Sequence, residues 1–162
     1  MENKEANPKG ILNILSLIHF AITFGLFAVG LFFYWLQDDW VMEFSDMGYK
    51  FPYAVPISAV LGVFAGKSLF RHQLSSLNRV NTLGAKLSGY MTASIVKYAC
   101  LEAPGFFGLF AAQETGNLAY LIITVLMVLI MIIERPTKNK TELDLNLDRE
   151  LKLEFEKSIK AN

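Results

Sequence analysis

The sequence predicts an all-α polytopic membrane protein, with four transmembrane helices and a short cytoplasmic amphipathic tail helix. Three observations lead there: the apolar residues gather in long blocks, the charged residues gather between the blocks, and the basic residues fall in alternate gaps. Hydrophobic residues make up 53% of the 162, a share that a soluble protein can also reach, so their distribution decides the class.

A helix needs about 20 mostly apolar residues to cross the hydrocarbon core. The block 11–36 meets this, with His19 as its one ionisable side chain. Lys4 and Lys9 before it give the look of a signal peptide. The block is too long for one and lacks a small-residue cleavage pattern before Gln37, so it is expected to be a retained span. The second block is 52–70, with Lys67 near its end. The third, 88–112, is interrupted by Lys97, Glu102 and Pro104. Without it, the basic ends of its neighbours could not lie on one side. The fourth, 118–133, is almost purely aliphatic and rather short. These spans define a transmembrane domain over 1–136 and a cytoplasmic tail over 137–162.

Lys and Arg set the orientation. Arg71, Arg79 and Lys86 occupy the middle gap without any acid, and Arg135, Lys138 and Lys140 follow the fourth span. The first gap is acidic, with Asp38, Asp39, Glu43 and Asp46 against Lys50. Basic loops stay cytoplasmic, so both termini and the middle loop are expected inside a bacterial inner membrane. Tyr34, Trp35, Trp40, Phe51 and Tyr53 form an aromatic belt at the other interface.

Smaller elements follow from local pattern. Trp40, Phe44 and Met47 recur at helical spacing after Asp39, which predicts a short interfacial helix. Gly84 and the stretch 75–78 predict a polar, flexible middle loop. Leu147, Leu151, Phe155 and Ile159 repeat at i+4 after Asp148, which predicts the tail helix; the alternation over 143–147 also fits a strand.

Several function classes find no support. Lys plus Arg and Asp plus Glu both number 15, which suggests no nucleic-acid partner. The single cysteine, Cys100, permits no internal disulfide and no cysteine-based metal site. No nucleophile elbow, HExxH or phosphate-binding glycine loop occurs, and the loops are too short for a catalytic domain. A non-enzymatic protein without a cofactor is therefore expected.

Two features within the spans carry the functional candidates. Ala54, Ser58, Gly62 and Gly66 lie at spacings of four on the second span, a small-residue ridge suited to close helix contact within the chain or across an oligomer. Ala21 and Gly25, and Ala99 and Ala103, offer shorter matching surfaces. The second feature is a set of intramembrane ionisable groups, Glu102, Lys97 and His19, forming a candidate proton, ion or polar-core site. Glu102 lies about 21 Å along its helix from Ser88, and Lys97 about 13 Å. Five residues apart, they diverge by about 140° around the axis, too far for a direct ion pair. Pro56 is expected at the depth of Glu102 and Pro104 follows it closely, so two helix breaks are expected beside this carboxyl, with Thr23, Ser58 and Thr124 as possible partners. Glu102 is read either as a proton or cation site or as a protonated packing residue. Lys97 is read as reaching toward the inner interface, and His19 as a satisfied buried imidazole.

Several stretches carry a resemblance. They are Pro56, Leu69-Phe70-Arg71, Lys86-Leu87 with Tyr90, Thr92-Ala93-Ser94-Ile95, Lys97-Tyr98-Ala99 and Leu101-Glu102-Ala103-Pro104. Phe106-Phe107, Thr115-Gly116-Asn117 and Arg135-Pro136-Thr137-Lys138 continue the series. In this order the chain resembles an uncharacterised family of small four-helix membrane proteins from Bacteroidetes-type bacteria. The resemblance implies topology, and Glu102 within a shared motif, but no chemistry. A fainter likeness is to the rotor-ring subunits of ion-translocating ATPases, through Leu101-Glu102-Ala103 and Phe107-Gly108-Leu109. The chain departs from those subunits by two further spans and by lacking an Arg-x-Pro loop.

The leading expectation is an accessory or assembly component whose partners are the lipid bilayer and either a second copy or another membrane protein. The alternative is a small homo-oligomeric transporter or proton-coupled channel built around Glu102.

Overall fold

A computed structural model describes residues 7–43 and 50–160. The described chain is helical: α1 (Pro8–Leu36), α2 (Phe51–Leu77), α3 (Leu83–Thr115), α4 (Leu118–Ile133), α5 (Lys138–Asp144) and α6 (Arg149–Lys160). The interfacial helix expected around Phe44 and Met47 falls on 44–49, outside the described residues.

Local chemistry fixes the helix ends. Asn7 caps α1 by accepting from the Gly10 amide at 3.2 Å, with Pro8 in the first turn, where a missing N–H costs nothing. α3 ends on Gly116, whose φ of 65° lies in the left-handed region that favours glycine. Asn117 then caps α4 through the Ala119 amide at 2.9 Å, so two residues reverse the chain. Val41 is stitched to this turn by paired backbone bonds to Gly116 and Leu118, both 2.9 Å.

α1, α2 and α3 are long and apolar enough to cross a membrane. α4 has 16 residues, about 24 Å of helix, and the polar α5 turns away from it by 82°, so the number of candidate spans is three to four. α2 and α3 outrun the apolar blocks seen in the sequence. The flexible middle loop expected over 71–86 shrinks to 78–82, because good helix formers such as Arg71, Gln73, Leu74 and Lys86 carry the helices onward.

α3 is the hub, touching α1, α2 and α4 along its length. Its neighbours come close at glycines: Leu26 of α1 against Gly105, Thr124 of α4 against Gly108, and Gly62 and Gly66 of α2 against Cys100. The small ridge on α2 meets Cys100 and Pro104, with Ala103 beside them in the groove along Ser58 and Gly62, while Ala99 is exposed.

The bundle has two storeys. In one, α1–α4 pack around Leu26, Leu101, Leu109, Met127 and Met131. α4 stops at Ile133, well short of the start of α3. Beyond that level α5 and α6 take its place, and Leu145, Leu151 and Phe155 join Leu15, Phe70, Leu87 and Tyr90 in a second core. Asp148 caps α6 through the Leu151 amide at 2.9 Å. The tail thus shares a core with the bundle, where the sequence suggested a separate piece, and the 143–147 stretch is the end of α5 and the turn that follows it, not a strand. α5 itself was not anticipated; it starts at the Thr137 cap, one residue after Pro136.

Candidate functional site

The polar groups concentrate where the two storeys meet. Lys97 points from α3 toward the end of α4 and is almost wholly buried, 3% exposed. Its Nζ donates to Glu134 Oε2 at 2.9 Å and stands 4.2 Å from the centre of the Phe70 ring. Glu134, the residue that ends α4, also accepts from Lys140 Nζ of α5 at 2.6 Å. One carboxylate therefore joins α3 to α5 across the end of α4. Burial works to raise the Glu134 pKa, but hydrogen bonds from Lys140 and Lys97, with their charges, outweigh it and hold the group down at about 2. Glu134 is thus ionised throughout the physiological range.

His19 joins the cluster from α1. Its Nε2 lies 2.8 Å from the carbonyl of Met131 on α4, and its ring meets Tyr98 edge-on at 4.8 Å. A carbonyl only accepts, so Nε2 carries the proton. Tyr98 is the common neighbour: it touches His19, lies 5.5 Å from Lys97 Nζ and donates to the Glu134 carbonyl at 3.4 Å. About two turns closer to the start of α3, Tyr90 donates to Asp144 at 3.2 Å, and buried Ser94 lies between the two tyrosines on the same face.

Glu102 stands apart. Its side chain is half-buried, makes no hydrogen bond or ion pair among the described residues, and has no charged group acting on it. The partners expected for it are occupied elsewhere or unreached: Ser58 bonds the Val55 carbonyl at 2.7 Å, Thr124 bonds the Gly105 carbonyl at 3.0 Å, and the Thr23 hydroxyl is buried without a partner. The expected pair of helix breaks is also absent. α2 and α3 run continuously through Pro56 and Pro104. Pro104 packs against Gly62, so Pro56 lies about 9 Å further along α2, away from the level of Glu102. Proline still leaves its mark. The carbonyl that Pro104 cannot bond is that of Cys100, and this oxygen faces Gly62, where a Cβ would come within 2.5 Å. The freed carbonyl is sheltered by a glycine, not by a carboxyl or a polar cavity.

Of the three sequence candidates, then, the structure brings Lys97 and His19 together through Tyr98 and leaves Glu102 outside. The missed partner is Glu134. It is the one acid amid Arg135, Lys138 and Lys140, a signal that orientation by basic residues passes over. Compared with known protein families, with curated proteins and with solved structures, the chain matches none of them, so its site is read from its own residues.

Proposed function

We propose that the chain is a four-span protein of the bacterial inner membrane with both termini cytoplasmic, and that it serves without chemistry of its own as an accessory or assembly component. The resemblance to small four-helix membrane proteins and the basic character of the 71–86 and 135–140 segments support the topology. The observation that carries the assembly role is the contrast between Glu102 and the other intramembrane groups. Lys97 and His19 are matched within the chain, whereas Glu102 is half-buried at the side of the bundle and makes no hydrogen bond or ion pair among the described residues. An unpaired carboxyl in hydrocarbon is costly, and a polar group from another membrane chain or a second copy offsets that cost. Ala99 and Phe106, one turn to either side, are exposed on the same strip of α3 and would line the contact.

A second reading, a homo-oligomeric transporter or proton-coupled channel, draws on the same carboxyl: copies gathered around it would present a ring of titratable groups. Cysteine crosslinking in native membranes tests the assembly role, using Ala99→Cys or Phe106→Cys in a Cys100→Ala background. The expected result is a discrete crosslinked species at these two positions and none at Phe64→Cys, which lies on an outward face of α2 and is 72% exposed. Equal yields at all three positions would remove the contact. Normal crosslinking in Glu102→Gln, with loss of proton flux in reconstituted vesicles, would favour the transporter. A periplasm-active reporter fused to the carboxyl end should be silent; activity there overturns the topology.

A further inference from the structure

We propose that the cleft between the end of α2 and α5 binds a phosphate-bearing anion. The cleft has a volume of about 640 Å³. Lys67 and Arg71 line one wall, one turn apart on α2, and Lys97 and Lys140 line the other side. Four cations therefore face two carboxylates, Glu134 and Asp144. The acids are already engaged: Glu134 is shared by Lys97 and Lys140, and Asp144 accepts from the Tyr90 hydroxyl. Lys67 and Arg71 have no ion pair or hydrogen-bonded side chain among the described residues. Both point along the same face of α2, as i and i+4 must. The Tyr90 hydroxyl is neutral, so Asp144 keeps its charge; against both carboxylates the four cations still leave the cleft an excess of two positive charges.

Bare positive-inside residues would scatter around the bundle and reach outward to headgroups or water. Here two free cations instead border a concave space whose far side is fixed by the Lys97–Glu134–Lys140 bridge. Arg presents a planar fork suited to two phosphate oxygens, and Lys adds a point charge beside it. The cleft opens at the level where α4 ends, beyond the apolar storey, so its depth suits a headgroup entering from the bilayer as well as a solute entering from water. A phosphate group is the chemistry common to both sources. The site is independent of the assembly role proposed for Glu102, which lies elsewhere on α3.

The full chain purified in dodecyl maltoside tests this by native mass spectrometry and thermal melting. Cardiolipin and inorganic phosphate are the two probes, and phosphatidylcholine is the neutral control. Cardiolipin should leave a retained adduct and raise the melting midpoint. Lys67→Gln/Arg71→Gln should weaken its binding tenfold or more, while Arg79→Gln, in the exposed connection beyond the cleft, should stay within twofold of the parent. Protection by cardiolipin alone makes the source a lipid headgroup, and protection by phosphate at millimolar concentration makes it a soluble phosphate compound. Binding that is unchanged in the double variant, or protection by neither probe in a folded parent protein, overturns the site.

Discussion

Alanine at Gly62 puts the α2–α3 seam to a quantitative test. A Cβ there would lie 2.5 Å from the Cys100 carbonyl oxygen and 2.7 Å from Pro104 Cγ. An ordinary carbon-to-oxygen approach is about 3.3 Å, so α2 and α3 have to separate by nearly an ångström or bend. Both obstacles belong to rigid parts of α3, a backbone and a proline ring, so neither can swing away. Overpacking of this kind costs about 1–3 kcal/mol, against a gain of about 0.5–1 kcal/mol from replacing a helical glycine by alanine. The net loss is about 0–2.5 kcal/mol, and the rigid obstacles put it in the upper half of that range. At Gly66 the nearest atoms are at 3.2 and 3.3 Å, so strain and propensity nearly cancel. At Gly25 nothing lies within 4 Å, and alanine should stabilise by the propensity gain alone. Unfolding in dodecyl maltoside micelles by added dodecyl sulfate, followed by circular dichroism, measures the three variants on one scale. The expected order of stability is Gly25→Ala above parent, Gly66→Ala near parent, and Gly62→Ala below. A Gly62→Ala protein as stable as Gly25→Ala would refute the close contact.

The charge bridge makes two further predictions. Glu134→Gln strands Lys97 in the interior and should cost about 3–5 kcal/mol, whereas Lys97→Met leaves Glu134 with Lys140 and should cost clearly less; equal losses in the same titration would contradict the bridge. The pH dependence follows from the carboxyl held at about 2, below its ordinary 4.5: its contribution is complete above pH 4.5 and drains away as the pH falls toward 2. The melting midpoint should therefore drop more steeply between pH 4.5 and 2 in the parent protein than in Glu134→Gln, and parallel curves would rule the bridge out as the cause.

The helical class and the positions of the apolar blocks were legible because burial in lipid writes itself into the sequence as long apolar stretches. The helix ends at Leu77 and Leu83 were not. Hydropathy reports where a helix leaves the hydrocarbon, and α2 and α3 continue past that point into polar surroundings. The ridge through Gly62 and Gly66 was visible as a contact surface, but which helix it would meet depends on the rotation of α3, which no spacing rule sets. Lys97 and His19 could be singled out as unusual residues. Their meeting could not, because it passes through Tyr98 and the end of α4, elements distant in sequence from at least one member of each pair. The neighbours expected for Glu102 were misplaced for a related reason. Depth can be counted along a helix, but the direction a carboxyl faces follows from which neighbour claims that side, and Leu26 of α1 fits against Gly105 and leaves Glu102 at the edge.

In the proposed four-span topology, the short α4 has a consequence for the membrane itself. Its 16 residues span about 24 Å, some 6 Å less than a typical hydrocarbon core, while α1 beside it runs for 29 residues. The outward side chains Ile122, Val125, Leu129 and Ile133 present a short apolar strip on that flank only. A bilayer closing around such a body must thin beside α4, or the bundle must lean until the strip fits, at a fraction of a kcal/mol per ångström of mismatch. The protein would then travel with a dimple of compressed lipid on one side. Two copies that bring their α4 flanks together would share one dimple instead of two, and the bilayer's elasticity would favour their association without any direct contact between them.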